Sequence, residues 1–208
     1  MIENQIPDVV IGRLPIYMLR LNQLLRDGQQ LVSSAQLAEM VGIPATQIRK
    51  DLSWFGGFGK QGSGYDVVHL LDRLKTILNL DRIWQVVVVG AGNLGKAVVE
   101  YDGFRRKGFE IIAAFDNEPS LIGSKVGHLV VKSMTEMEAC IQQNQVLIAA
   151  LTVPTSAAPE VADKLVRVGI KAILNYAPVT LRMPDDVQVS YIDPVLSMQK
   201  MTYYLPRE

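Results

Sequence analysis

Short apolar runs alternate with amphipathic stretches through the C-terminal two thirds of the chain. Val86–Val89 is unbroken valine, the pattern of a strand buried on both faces of a parallel sheet. Ile111–Phe115, Val146–Leu151, Ile170–Leu174 and Val187–Ile192 repeat it, and Val126–Val131 reads as a short strand or edge segment. Helical spacing fills the gaps: Leu94, Ala97, Val98 and Tyr101; Met134–Gln143 behind a Ser133 cap; and Ala157–Val168, ended by Gly169. Such alternation predicts an α/β fold, a Rossmann-type doubly wound parallel sheet. Asp193-Pro194 then caps and starts a C-terminal helix. That helix is apolar on more than one side, and it packs either on its own domain or on a partner subunit.

The first eighty residues carry mainly helical periods. Arg13-Leu14-Pro15 reads as a helix start with Pro15 near the first turn, continued by Ile16, Leu19, Leu21, Leu24 and Leu25 and ended at Asp27-Gly28. Ser33-Ser34 offers a cap for a second helix, Ala35–Met40, which Gly42 breaks. A third helix starts at Pro44-Ala45 and runs to about Phe55, and a fourth occupies 66–80. The small Ala38, the turn glycine Gly42 and the apolar Ile48 have the spacing of a helix-turn-helix, in which two helices must approach closely. The third helix is then the recognition helix. Thr46, Gln47, Arg49, Lys50 and Ser53 on it are side-chain types that reach base edges and phosphates. The glycine-rich stretch 56–64 excludes a helix and reads as a β-hairpin wing with Lys60 near its tip. Read jointly, these features predict a winged helix-turn-helix that binds DNA.

Gly90, Gly92 and Gly95 follow the valine strand in G-x-G-x-x-G spacing. In a dinucleotide site the first glycine permits the turn, the second lets the backbone approach a pyrophosphate, and the third lets helix and strand pack closely. Ala91, Asn93 and Leu94 complete that loop. Asp116 ends the next strand, where a carboxylate can accept from a ribose 2′-hydroxyl. Asn117 follows it. No arginine follows Asp116 directly and Glu118 is close, which favours NAD(H) over NADP(H). Thr152-Val153-Pro154 and Asn175-Tyr176-Ala177-Pro178 close later strands at the end where such folds bind ligands.

Twenty-one basic and 21 acidic residues cancel, so any DNA affinity depends on local clustering. The lone Cys140 and the separated His69 and His128 form no metal-ligand pattern, and no metal is expected. No apolar run approaches membrane-spanning length and no secretory signal is evident, so a cytoplasmic protein is expected. The chain also lacks a convincing general acid or base at a strand end, and a second substrate domain. A DNA reader joined to a dinucleotide fold without a catalytic group reads as a sensor rather than an enzyme. Bound dinucleotide would bias the spacing of two reading heads. Two alternatives compete: a small NAD-dependent oxidoreductase using His128, and a DNA-binding regulator that responds to another nucleotide ligand such as coenzyme A.

Along essentially its whole length the chain resembles the Rex family of bacterial redox-sensing transcriptional repressors. The resemblance rests on Arg13-Leu14-Pro15, Gln47–Gly56 with its Ile-Arg-Lys-Asp-Leu-Ser core, Gly62–Tyr65, Gly90–Gly95, Tyr101–Phe104, Leu151–Pro154 and Gly169–Pro178. It implies residues 1–80 as the winged-helix DNA-binding domain, 81–192 as the Rossmann NAD(H)-binding domain, and 193–208 as a helix exchanged between the subunits of a homodimer. It implies a repressor that binds palindromic operator DNA when NADH is low relative to NAD⁺, and that releases it when NADH binds. Tyr65 joins Gln47, Arg49, Lys50 and Lys60 at DNA, and Ser34 is counted with them. Tyr101 and Asp193 match two positions of the family's ligand-sensitive contact between subunits. Many members carry an arginine where this chain has Leu19. Arg20 or Arg13 then substitutes, or that contact is altered.

Overall fold

The computed structural model describes residues 6–58 and 64–206. It divides at Arg82/Ile83 into two compact units.

The first unit opens with α1 (Asp8–Arg26), whose buried row is Val10, Leu14, Tyr17, Leu21 and Leu24. Pro15 therefore lies inside the helix, not near its first turn. The inward row already begins at Val10, and Pro15 faces out, where water can reach the carbonyl of Ile11 that loses its usual donor. Next come β1 (Leu31–Val32), α2 (Ser34–Val41) and α3 (Ala45–Ser53). Ser33 caps α2 in a reciprocal capping box with Gln36, and Gly42 ends it at φ 71°, a left-handed conformation that favours glycine. Ile48 is fully buried, as the helix-turn-helix spacing requires. α3 ends two residues before the expected Phe55.

Of the stretch expected to form the wing, residues 59–63 lie outside the described ones, and among the described residues the Tyr65 side forms a strand. The strand β2 (Tyr65–Asp66) pairs antiparallel with β1, joining Leu31 to Asp66 and Val32 to Tyr65. Residues 54–58 lie in a turn and irregular chain, because the glycines there carry no apolar alternation to hold a second strand. Lys60, the expected wing tip, lies outside the described residues. Asp66 caps α4 (Val67–Ile77) through His69 N–H. α4 closes a core of Leu14, Tyr17, Leu37, Ile48, Leu52, Leu70 and Leu74.

The second unit is a seven-stranded sheet. Its strands are β3 (Trp84–Val89), β4 (Phe109–Asp116), β5 (Lys125–Val126), β6 (Leu129–Ser133), β7 (Ile148–Leu151), β8 (Ala172–Asn175) and β9 (Gln188–Tyr191). They lie in the order β5-β6-β4-β3-β7-β8-β9. All pairs are parallel except β5 with β6, which resolves the ambiguous 126–131 segment into an antiparallel edge. Without that edge the order is the doubly wound 3-2-1-4-5-6, and the reversal falls between β3 and β7. The valines of β3 split by the strand period of two. Val86 and Val88 face α5 (Asn93–Glu100) with Val98 and Val99. Val87 and Val89 face α6 (Met137–Asn144) and α7 (Ala158–Arg167) with Ile141, Ala162 and Leu165.

No helix connects β8 to β9. On the α5 side this leaves an open apolar groove of about 480 Å³ over Val86, Ile148, Ala150, Leu174 and Val189. The terminal α8 (Pro194–Thr202) is capped by Asp193, whose carboxylate accepts from Val195 N–H at 2.9 Å. It buries none of its residues, and Val195, Leu196, Met198 and Met201 are all more than half exposed.

Candidate nucleic-acid interface and dinucleotide site

α3 divides cleanly into two faces. Thr46, Arg49, Lys50 and Ser53 are exposed, at positions i, i+3, i+4 and i+7. Ile48, Asp51 and Leu52 are buried behind them. Arg49 is held by a 2.8 Å hydrogen bond from Nη1 to the Oγ of Ser34 at the start of α2, which makes Ser34 its support. Ser53 donates to the Lys50 carbonyl at 2.7 Å. Tyr65 lies near enough to feel the charge of Arg49. Burial raises its phenol above the ordinary value, and that charge opposes the rise. Four of the expected DNA residues thus share one exposed cationic face, with Ser34 and Tyr65 beside it.

Gln47 does not share it. Its Nε2 donates to Asp51 Oδ1 at 2.7 Å. Asp51 is fully buried and also receives Arg13 Nε at 2.5 Å, Arg13 Nη2 at 2.6 Å and the Tyr17 hydroxyl at 2.6 Å. Burial pushes this carboxyl up, but the bonds from Arg13, Tyr17 and Gln47 outweigh that and hold it below its usual range. Arg13, expected at a subunit contact, is therefore engaged inside its own unit. Arg20, the other candidate, has a buried Nε without a hydrogen-bond partner.

In the second unit the glycine loop is set by backbone contacts. Gly90 adopts φ 98°. A Cβ on Gly90 would meet the Thr152 carbonyl at 2.7 Å, and one on Gly95 would meet the Gly90 oxygen at 1.8 Å. Both glycines are demanded by the fold. Gly92 is not: its φ is −65°, and a Cβ there meets nothing within 4 Å. Gly92 also stands at the N-cap of α5, where no side chain caps the helix. The second glycine thus leaves open space in front of a bare helix N-terminus, the cradle that a pyrophosphate needs. Asp116 sits across it, its Oδ2 accepting from Ala91 N–H at 2.6 Å and its Oδ1 from Glu118 N–H at 2.8 Å. Each oxygen keeps acceptor capacity for a ribose hydroxyl. The residues present fit a dinucleotide.

Thr152 and Asn175 act from behind. The Thr152 hydroxyl lies 2.7 Å from the Gly90 oxygen and 3.0 Å from the Val89 oxygen, so it staples the loop. Asn175 is buried, donates to the Val179 carbonyl at 3.0 Å and accepts from Ala177 N–H at 2.9 Å. It shapes the turn that presents Tyr176, Ala177 and Pro178. Beyond the loop, Leu94, Tyr176, Tyr191, Ile192 and Asp193 line one depression. Tyr191 and Ile192 were not singled out from sequence, because the end of an exposed edge strand carries no distinguishing signal. Tyr101, at the far end of α5, lies against Gly103 and edge-on to Phe104 at 5.5 Å. It borders the apolar groove, not the glycine loop.

His128 is remote from this crevice. Its Nε2 lies 3.2 Å from the Ile111 oxygen, toward the N-terminal end of β4. Among the described residues no cluster of three or more His, Cys, Asp or Glu could hold a metal ion. No helix among them is long and apolar enough to cross a membrane.

These features define a class: a helix-turn-helix unit with an exposed cationic face, followed by a doubly wound sheet with a dinucleotide-type crevice. Residues 5–53 match a family described as "Putative DNA-binding protein N-terminus", and residues 81–179 match one described as "CoA binding domain". A redox-sensing transcriptional repressor Rex from Chloroflexus aggregans is 51% identical over 99% of this chain and 97% of its own length. The crystal structure of RSP in complex with beta-NAD+ and operator DNA is 40% identical, with a TM-score of 0.91 over 97% of this chain and 93% of that one. The crystal structure of RSP in complex with beta-NADH is 38% identical, with a TM-score of 0.88 over 97% and 95%. The chain belongs to the Rex family of redox-sensing transcriptional repressors.

Proposed function

We propose that this chain is a cytoplasmic homodimeric repressor that holds palindromic operator DNA through the exposed face of α3. It leaves the DNA when NADH enters the crevice at the ends of β3 and β7, and NAD⁺ does not release it. Residues 1–80 form the reading head, 81–192 the ligand domain, and 193–208 the helix exchanged between subunits. The carrying observation is Gly92, which the fold itself does not require and which opens onto the α5 N-terminus. Solved relatives of 38–40% identity contain beta-NADH, or beta-NAD+ with operator DNA, which supports both ligands.

In this reading Gly92 admits the pyrophosphate to the free N–H groups of α5, and Asp116 accepts from the adenosine ribose. Asp116 with Glu118 beside it disfavours a 2′-phosphate. Tyr176 and Ala177–Pro178 wall the crevice from β8. The homodimer draws support from two unpartnered apolar surfaces of the second unit, the groove over the sheet and the face of α8. Tyr101 and Asp193 belong to the contact between subunits, and Arg20 takes the place of the arginine that Leu19 replaces. A dimer presents two recognition helices to successive major grooves, about 34 Å apart along the duplex. Ligand that changes this spacing changes affinity without touching the DNA.

A second reading keeps the DNA reader and replaces the ligand with coenzyme A, because residues 81–179 match a family of that description. Titrating the protein with NADH, followed by nicotinamide fluorescence, with NAD⁺ and coenzyme A as competitors, separates the two. Saturable NADH binding that NAD⁺ displaces and coenzyme A does not supports the redox reading. Displacement by coenzyme A at lower concentration than NAD⁺ replaces it.

A further inference from the structure

On the reading that α3 enters the major groove, we propose that Asp51 is a positioning residue for operator recognition. Through Arg13 and Tyr17 it fixes the rotation of α3 against α1, and Gln47 serves that network rather than a base edge.

The carboxylate is fully buried, and its acceptor sites are filled. Oδ1 takes Arg13 Nη2 and Gln47 Nε2, while Oδ2 takes Arg13 Nε and the Tyr17 hydroxyl. An ionised carboxylate offers about four lone-pair sites, so no acceptor capacity is left over. Two of the donor residues come from α1 and one from α3 itself, so the network ties one helix to the other.

Apolar packing of α3 rests on few of its side chains. Only Ile48 and Leu52 are its buried apolar residues. A rotation of about 20° on a helix about 10–12 Å across moves side-chain tips by about 2 Å. Hydrogen bonds tolerate a few tenths of an ångström around their usual lengths, so that rotation would break the network and take Arg49 and Lys50 out of register with base edges together. A buried ion pair is commonly replaceable by apolar side chains without loss of stability. What the charged network adds here is a single rotational setting of the face that reads DNA. Gln47 points into the network and is half-buried, whereas Thr46, Arg49, Lys50 and Ser53 point out.

The test uses the full-length protein and two variants that keep packing intact. Tyr17→Phe removes one donor to Asp51 and keeps the ring. Gln47→Met removes another and keeps the length. Affinity is measured at fixed salt for an operator selected from a randomised pool and for a scrambled duplex, with thermal unfolding alongside. A panel of single base-pair substitutions in the operator is run on Gln47→Met, and Arg49→Ala serves as the control for DNA reading. Each network variant is expected to lower operator affinity about fivefold, the scale of one hydrogen bond, with the scrambled duplex unaffected. The double variant is expected to lose less than the product of the two, since both act through Asp51. Gln47→Met keeps the wild-type base preference at every position. Relaxed preference at one base pair in Gln47→Met overturns the proposal by making Gln47 a base reader. A lower unfolding temperature with an unchanged operator-to-scrambled ratio overturns it by leaving Asp51 a purely structural group. Wild-type operator affinity in Arg49→Ala refutes instead the placement of α3 in the groove, and the proposal falls with it.

Discussion

Gly92 and Gly95 are separated by three positions and make opposite predictions when each gains one methyl group. On Gly95 the new Cβ would lie 1.8 Å from the Gly90 oxygen, 2.9 Å from the Gly90 carbonyl carbon and 3.0 Å from Thr152 Oγ1. Ordinary contact needs about 3.5 Å, so α5 must retreat by more than 1 Å from a backbone that cannot swing aside. Overpacking of this kind costs about 1–3 kcal/mol, and backbone-on-backbone contact places Gly95→Ala at the upper end. For a unit of this size that lowers its unfolding temperature by about 10 °C. NADH affinity falls as well, because the retreating helix N-terminus carries the donors. Gly92→Ala meets nothing within 4 Å and needs no unusual φ. Its gain in reduced unfolded-state entropy, about 0.4–1 kcal/mol, is offset by the poorer N-cap, so the unfolding temperature stays within about 2 °C of wild type. The methyl group instead occupies the space of the pyrophosphate, and NADH affinity falls at least about tenfold. DNA binding persists in Gly92→Ala, and release needs at least about tenfold more NADH. Calorimetry and nicotinamide fluorescence on the two variants read these quantities separately. Wild-type NADH affinity in Gly92→Ala would refute the cradle, and an unchanged unfolding temperature in Gly95→Ala would refute the packing argument.

Other perturbations separate the remaining parts. Thr152→Val keeps the shape but loses the one hydroxyl proton shared by the Gly90 and Val89 oxygens, and should weaken NADH about fivefold while Thr152→Ser does not; equal affinities in both would make Thr152 a bystander. Asp116→Arg should weaken NADH and shift preference toward NADPH, and an unchanged NADH-to-NADPH ratio would place the ribose elsewhere. Asp51 has a lowered folded-state pKa, so its contribution to the first unit is fully present above the unfolded value, about 4, and is lost as pH falls through the lower folded value. Acid titration by circular dichroism should show that loss in wild type and not in Asp51→Asn; the same profile in both would assign the acid transition to another group.

Strand and helix positions in the second unit were largely legible because parallel strands are apolar runs and their crossovers are amphipathic. The valine run and the Gly90, Gly92 and Gly95 spacing located the crevice without help from side chains. Their division of labour was not legible: only the folded backbone brings Gly95 against the Gly90 carbonyl and leaves Gly92 facing open space. Pro15 misled because a proline near a helix start is common, and the inward row from Val10 mattered more than the proline. The small sheet beside the wing is harder to read. Two residues at each strand, Leu31–Val32 and Tyr65–Asp66, are too short to show alternation, and their pairing is long-range. Polar residues on α3 could not be sorted by type. Gln47, Arg49 and Lys50 look alike as base readers, yet Gln47 turns inward because Asp51 waits four residues along, one helical turn away. Asp51 and Tyr17 carried no sign in sequence that a carboxylate would be buried among donors from α1.

The central claim is that one dinucleotide redox state controls one DNA-reading geometry. Fluorescence anisotropy of a labelled palindromic operator, at fixed salt because phosphate contacts make affinity steeply salt-dependent, tests it with NADH and with NAD⁺ added separately to the preformed complex. The account predicts that NADH releases the DNA and that NAD⁺ at the same concentration leaves it bound. Retention of the operator at saturating NADH, or equal release by both, would contradict it.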